Sequence, residues 1–368
     1  MSPPLRISAV LRHARQRFAD AVAIREPPPG VLPADVDDRV RQFEAIVTAE
    51  SVRDDVMRLP SPRSRLHAPQ RIAASEELLS SAFASTGWSV EVQPITAKGR
   101  GGRLDYGTFG PTRYSDLHGR NLIATRTGND SGAVVLLAHQ DTVRGSPGAN
   151  DNGAALAVLL AVARLLGEEA PRRSIVLAVT DMEEIGMFGS RALVPELRRR
   201  FTIVTGLNLE TIGYLSHEPH SQLVPKGFGL LYPDQVARVD SRDYRGDFLA
   251  VLYNQQATHA AATFAATLAT VVSHNATLLL RAPTNIPLLS GILRGFVPVV
   301  NQVFRGDHAA FWDAGLPALQ ITDTANLRYP HYHSPADTPD KLDFGHIRNV
   351  AITTAITVQI LAGADINS

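Results

Sequence analysis

The fold is decided by two neighbouring stretches, AVVLLAHQD (residues 133–141) and GANDNGAALAVLLAVARLL (148–166). In the first, Ala133 to Ala138 are apolar without alternation, which a strand tolerates only when both of its faces are buried. In the second, Ala154 to Leu166 is apolar nearly all round, so the helix predicted there has no solvent face. A doubly buried strand followed by an inner helix is the unit from which parallel sheets are made.

Working outward, Asn121 to Thr127, Ser174 to Thr180 and Leu316 to Thr322 are also apolar, β-branched runs bounded by Gly, Pro or charge, and Asp343 to Leu361 has helical periodicity. Strand and helix alternate. The expected fold class is therefore α/β, a three-layer sandwich whose mostly parallel central mixed sheet is covered on both faces by helices. Residues 215–304 are less regular and are expected to be strands and helices that shape the rim of a site rather than a separate domain. Before residue 90, apolar spacing predicts helices at Ile7 to Phe18, Val36 to Val47 and Ile72 to Phe83, with Gly87 as a C-cap and a strand over Trp88 to Ile95. Pro27, Pro28, Pro29 and Pro33 forbid helix over residues 26–35. Residues 1–60 thus read as a helical extension with a Pro-rich linker, ahead of a main domain at 61–368.

With 36 Lys plus Arg against 36 Asp plus Glu, the chain has no excess charge with which to hold nucleic acid or an anionic membrane, and neither partner is expected. No apolar stretch reaches the roughly 20 residues of a membrane span. The start, with Arg6, Arg12, Arg15 and Arg17, has no apolar core of the kind a secretory leader needs, so a cytoplasmic location is expected. Oligomeric state is not legible. There is no Cys, which removes thiolate chemistry and leaves His and carboxylate as the available metal ligands.

Open α/β sheets bind ligands beyond the carboxyl ends of their strands. Four apolar runs deliver polar residues there: His139-Gln140-Asp141; Glu183-Glu184; Glu210; and the loop with His331 and His333. Asp151 lies between the first two. Singly, each has a bland reading, since Asp151 fits an N-cap and Glu183-Glu184 a solvated helix start. Together, two imidazoles and three carboxylates suit two metal ions sharing one carboxylate, with a fourth acid left as general base.

HQD, PGANDNGAA, DMEEIG, NLETIGY, GDHAAFWDAGLPALQITDTA and YHSPADTPDKLD resemble the successive signatures of metallopeptidase family 28, the co-catalytic di-zinc aminopeptidases, over roughly residues 60–365. The short gap between His139 and Asp151 is part of that likeness. The resemblance implies a zinc-dependent exopeptidase fold over 61–368 and two Zn2+ per chain, acting on peptides with a free N-terminus. It implies His139 and Glu210 on one zinc, Glu184 and His333 on the other, Asp151 bridging them and Glu183 as general base. Asp141 would orient the ligating imidazole and Tyr332 would steady the oxyanion. Many members have Asp where this chain has Glu210. His333 rather than His331 fits the motif, and Asp307 and His308 are expected to support the site or its substrate rim. The alternatives are a carboxypeptidase of acidic dipeptides, a glutaminyl cyclase of the same superfamily, or a non-catalytic receptor domain.

Overall fold

The computed structural model describes residues 22–103, 111–168, 170–283 and 305–363. The helix expected at Ile7 to Phe18 and the segment Pro287 to Phe296 lie outside them. The elements run α1 (Val36–Ile46), α2 (Ala49–Arg58), α3 (Pro69–Ser85), β1 (Ser89–Arg103), β2 (Pro111–Arg126), β3 (Gly132–His139), α4 (Ala154–Leu165), β4 (Ser174–Thr180), α5 (Phe188–Arg200) and β5 (Thr202–Glu210). They continue through α6 (Phe228–Leu231), α7 (Pro233–Asp240), β6 (Leu249–Tyr253), α8 (Thr258–Val271), β7 (Thr277–Arg281), α9 (His308–Asp313), β8 (Ala318–Thr322) and α10 (Phe344–Leu361).

All eight strands form one sheet in the order β1-β2-β4-β3-β5-β8-β6-β7. Its centre, β4-β3-β5-β8, is parallel, as the unbroken apolar runs require. β1 and β2 join antiparallel at one side, and the β6-β7 pair joins β8 antiparallel at the other. The sheet is thus mixed, with helices on both faces.

Every residue of α4 except Arg164 is buried. The helix lies in the larger core with α1, α2 and α10, where Phe43, Val52, Leu159 and Ile356 meet the sheet. On the other face α5 and α9 bury Leu193, Leu197 and Phe311 against β3, β4, β5 and β8. Gly87 ends α3 with a positive φ of 83°, in the left-handed region that Gly adopts without penalty. The strand foreseen over Trp88 to Ile95 runs on to Arg103.

The least regular stretch of sequence does fold into strands and helices along the cleft, but its strands join the central sheet rather than only its rim. It supplies α6, α7 and α8 and also two strands of the central sheet, β6 and β7. The Pro-rich arm packs against that end: Glu26 accepts from the N–H of Leu279 on β7 at 2.7 Å and from both terminal nitrogens of Arg238. It therefore occupies one donor that the edge strand β7 would otherwise expose. No described helix is long and apolar enough to cross a membrane.

Candidate metal centre

Parallel strands place their last residues at one end of the sheet, so His139 closes β3 and Glu210 closes β5 as near neighbours. Asp151 reaches the same place on a loop before α4. Gly148 has a φ of 69°, and a Cβ there would lie 2.2 Å from Thr142, so only glycine fits. The asparagines flanking Asp151 fasten the loop to the end of β5. Asn152 donates to the carbonyl of Leu209 at 2.9 Å and accepts from Thr211 N at 3.2 Å. Asn150 accepts from Gly213 N at 2.7 Å and donates to Asp323 at 2.8 Å.

One oxygen of Asp151 then lies 3.2 Å from His139 Nε2 and the other 3.1 Å from His333 Nε2. Glu210 Oε1 is 3.1 Å from His139 Nε2, so the longer side chain at this position reaches the imidazole. Glu184 Oε2 is 3.3 Å from His333 Nε2. Two trios result, His139-Asp151-Glu210 and Asp151-Glu184-His333, with ligand atoms within 4.8 Å of one another in each and Asp151 common to both. His331 is not among them; its ring packs edge-on against Tyr329.

Both Asp151 oxygens, Glu184 Oε1 and His333 Nε2 are buried without a properly angled hydrogen bond. Buried polar atoms are ordinarily satisfied, so these exceptions call for a further partner. A tetrahedral zinc with bonds of about 2.1 Å separates its ligand atoms by about 3.4 Å, close to the spacings above. The residues therefore fit the metal.

The charges agree. Burial opposes protonation of His139, yet the charge of Glu210 and the close approach of Asp141 and Asp151 outweigh it and lift the imidazole well above its usual range. His333 is likewise raised, against burial, to about 10 by Glu184 and Asp151. Burial and Asp151 push Glu184 up to about 7. Without a metal the cage thus draws protons to itself, because buried carboxylates need positive charge beside them.

Glu183 belongs to neither trio. It is buried beside the cage, and burial, then the charge of Glu210, holds its carboxyl well above the ordinary range. Asp141 accepts from Glu183 N at 3.0 Å through one oxygen and from Glu184 N at 3.1 Å through the other. His139 Nδ1 lies 3.0 Å from the Asp141 carbonyl and 3.7 Å from its carboxylate. Asp141 thus braces the paired acids as closely as the imidazole. Tyr332 stacks on His333 with ring centres 3.8 Å apart, and its hydroxyl accepts from Arg305 at 3.3 Å. Burial, then Asp151, keeps that phenol protonated far above neutral pH. Asp307 is buried behind His139, accepts from Thr180, and is raised by burial to about 6.

Asp337, in the same YHSPADTPDKLD stretch as His333, has a role that the motif itself does not reveal. It accepts from Asn150 N at 2.8 Å, Asp151 N at 3.2 Å and the Tyr329 hydroxyl at 2.9 Å, so the segment carrying His333 also clamps the loop carrying Asp151. Arg63, wholly buried, ties Gln140 O to Gly148 O at 2.7 and 2.9 Å from the other side. Replacing Asp337 with Ala strands two buried amides and a hydroxyl. We expect thermal denaturation to show a loss of about 3 kcal/mol or more, and metal titration to show affinity lower by about 10- to 100-fold.

From the cage a cleft of about 1100 Å³, its open mouth included, runs along β8, β6 and β7. Its far wall is apolar, with Val236, Val239, Phe248, Leu252, Leu278 and Leu280. Among the described residues, Arg103, Glu183, Glu184, Glu210 and Arg305 are the charged ones lining it.

A parallel-centred α/β sheet ending in paired His and carboxylate trios defines a metal-dependent hydrolase. The chain belongs to peptidase family M28, whose model matches residues 121–273 and 290–358. It is 29% identical over 290 residues to the uncharacterized protein YfbL of Escherichia coli, covering 75% of this chain and 76% of that one. It is 26% identical over 365 residues to a probable zinc metalloprotease of Pyrenophora tritici-repentis, covering 90% and 69% respectively. Its fold superposes on the zinc aminopeptidase BSAP of Bacillus subtilis with a TM-score of 0.59 at 14% identity, over 84% of this chain and 94% of that one. The chain is thus a zinc peptidase, a hydrolase acting on peptide substrates.

Proposed function

We propose that the protein is an aminopeptidase that holds two zinc ions and removes single residues from the N-termini of short peptides. The observation that carries this is Asp151, whose two oxygens face two different imidazoles, each with its own glutamate. His139, Asp151 and Glu210 hold one ion; Asp151, Glu184 and His333 hold the other. Bound there, zinc lowers the pKa of water towards about 7 and polarises the peptide carbonyl.

The rest falls to the chain's own side chains. Glu183, fixed through its N–H by Asp141, takes the proton of the attacking water and returns it to the leaving nitrogen. Tyr332, kept protonated, donates towards the oxygen on which charge develops. The acidic cage supplies acceptors for a substrate ammonium, and the apolar wall excludes water and receives an apolar side chain. A glutaminyl cyclase needs a single ion, so a shared carboxylate between two complete trios favours the peptidase.

Amine recognition is tested by blocking it. Leucine p-nitroanilide is expected to turn over, and its N-acetyl form to be slower by about 100-fold or more, the loss of a charge-assisted contact in a buried site. Equal rates on the two would exclude an aminopeptidase.

A further inference from the structure

The long β1-β2 hairpin has no place in the ligand set, yet it ends at the cleft. Arg103, the last residue of β1, donates its N–H to Ile185 O at 2.9 Å, two residues beyond Glu183. Its carbonyl accepts from the Tyr114 hydroxyl at 2.6 Å. Gly102 makes this approach possible, because a Cβ there would lie 2.3 Å from Ile185 O. The hairpin end is therefore pinned to the loop of the proposed general base, and the half-buried Arg103 side chain lines the cleft beside Glu183. Among the described residues its guanidinium makes no ion pair or hydrogen bond. The acids lining the cleft, among the described residues, are Glu183, Glu184 and Glu210, the proposed base and two residues of the metal trios.

A cation held beside the group that protonates the leaving nitrogen faces whatever that nitrogen carries. Hydrolysis adds water across the C–N bond: the carbonyl carbon gains hydroxyl and the nitrogen gains a proton. In a dipeptide the departing nitrogen belongs to a residue whose own carboxylate is two bonds away, within about 4 Å. In a longer peptide the same place holds a neutral amide. We propose that Arg103 binds the C-terminal carboxylate of the residue that follows the scissile bond, making dipeptides with an apolar first residue the preferred substrates.

This rests on the peptidase reading but concerns the opposite end of the substrate from the amine. The test uses the zinc-loaded protein with Leu-Leu and Leu-Leu-amide, which differ in that carboxylate alone. A charge-assisted contact predicts kcat/KM higher for the free acid by about 10- to 100-fold, carried mainly by KM. Arg103→Ala also alters the field at Glu183, so the ratio between the two substrates is the readout. It is expected to fall to near one, with partial recovery in Arg103→Lys. Binding of the product leucine against leucinamide, followed by calorimetry, should show the same dependence on residue 103. A wild-type ratio near one, or a ratio unchanged in Arg103→Ala, overturns the proposal. So does a ratio that collapses in Arg305→Ala and not in Arg103→Ala. Faster cleavage of N-acetyl-Leu-Leu than of Leu-Leu defeats the aminopeptidase reading alone. A zinc-loaded protein that cleaves neither peptide nor the anilide defeats both.

Discussion

Glu183→Gln protein is expected to bind metal as the parent does and to lose turnover by about 10²- to 10⁴-fold. The substitution keeps volume and hydrogen-bonding shape while removing the group that accepts a proton. Glu183 stands outside both trios, so binding of the cations does not depend on it. Its position depends on Asp141 gripping the backbone N–H, which glutamine retains. In the metal-free chain, burial and then the nearby charge of Glu210 raise its carboxyl well above the ordinary range. Steady-state kinetics on leucine p-nitroanilide together with metal analysis by mass spectrometry check the result. Wild-type turnover in this variant would remove Glu183 from the mechanism, and loss of metal would make it a ligand.

Replacing Asp151 with Ala is expected to have the larger structural effect. Among the described residues no other carboxylate approaches both imidazoles, and its removal leaves each trio with two members. Metal affinity should fall in both halves of the centre at once, with activity below detection. Because metal bound only by the folded chain adds its binding energy to folding, chelation should lower the melting temperature of the parent and leave that of Asp151→Ala nearly unchanged. Differential scanning fluorimetry with and without a chelator makes the comparison. A variant that still holds two ions would show that the centre does not depend on a shared carboxylate.

The parts of this molecule that were legible in the sequence are those where burial leaves a pattern. β3 and α4 were readable because a strand covered on both faces and a helix without a solvent face both lose their polar positions. The candidate site was readable because His139, Glu210 and the Glu183-Glu184 pair follow apolar runs directly, where a parallel sheet puts its ligands. β6 and β7 were not readable as sheet strands. LAVLY and TLLLR are five residues each, too short for periodicity to separate strand from buried helix. Asp337, Asn150 and Asn152 escaped for another reason: most of their partners are backbone groups, which leave no mark on the sequence. Arg103 escaped because its meaning comes from a glycine that lets a distant hairpin lie against the Glu183 loop.

The central claim is that one buried carboxylate is shared by two cations. Anomalous diffraction at the zinc edge from crystals grown with zinc tests it most directly. The account predicts two peaks, one on each side of Asp151, the first against His139 and Glu210 and the second against Glu184 and His333. A single peak, or two peaks with Asp151 touching neither or only one, would contradict it.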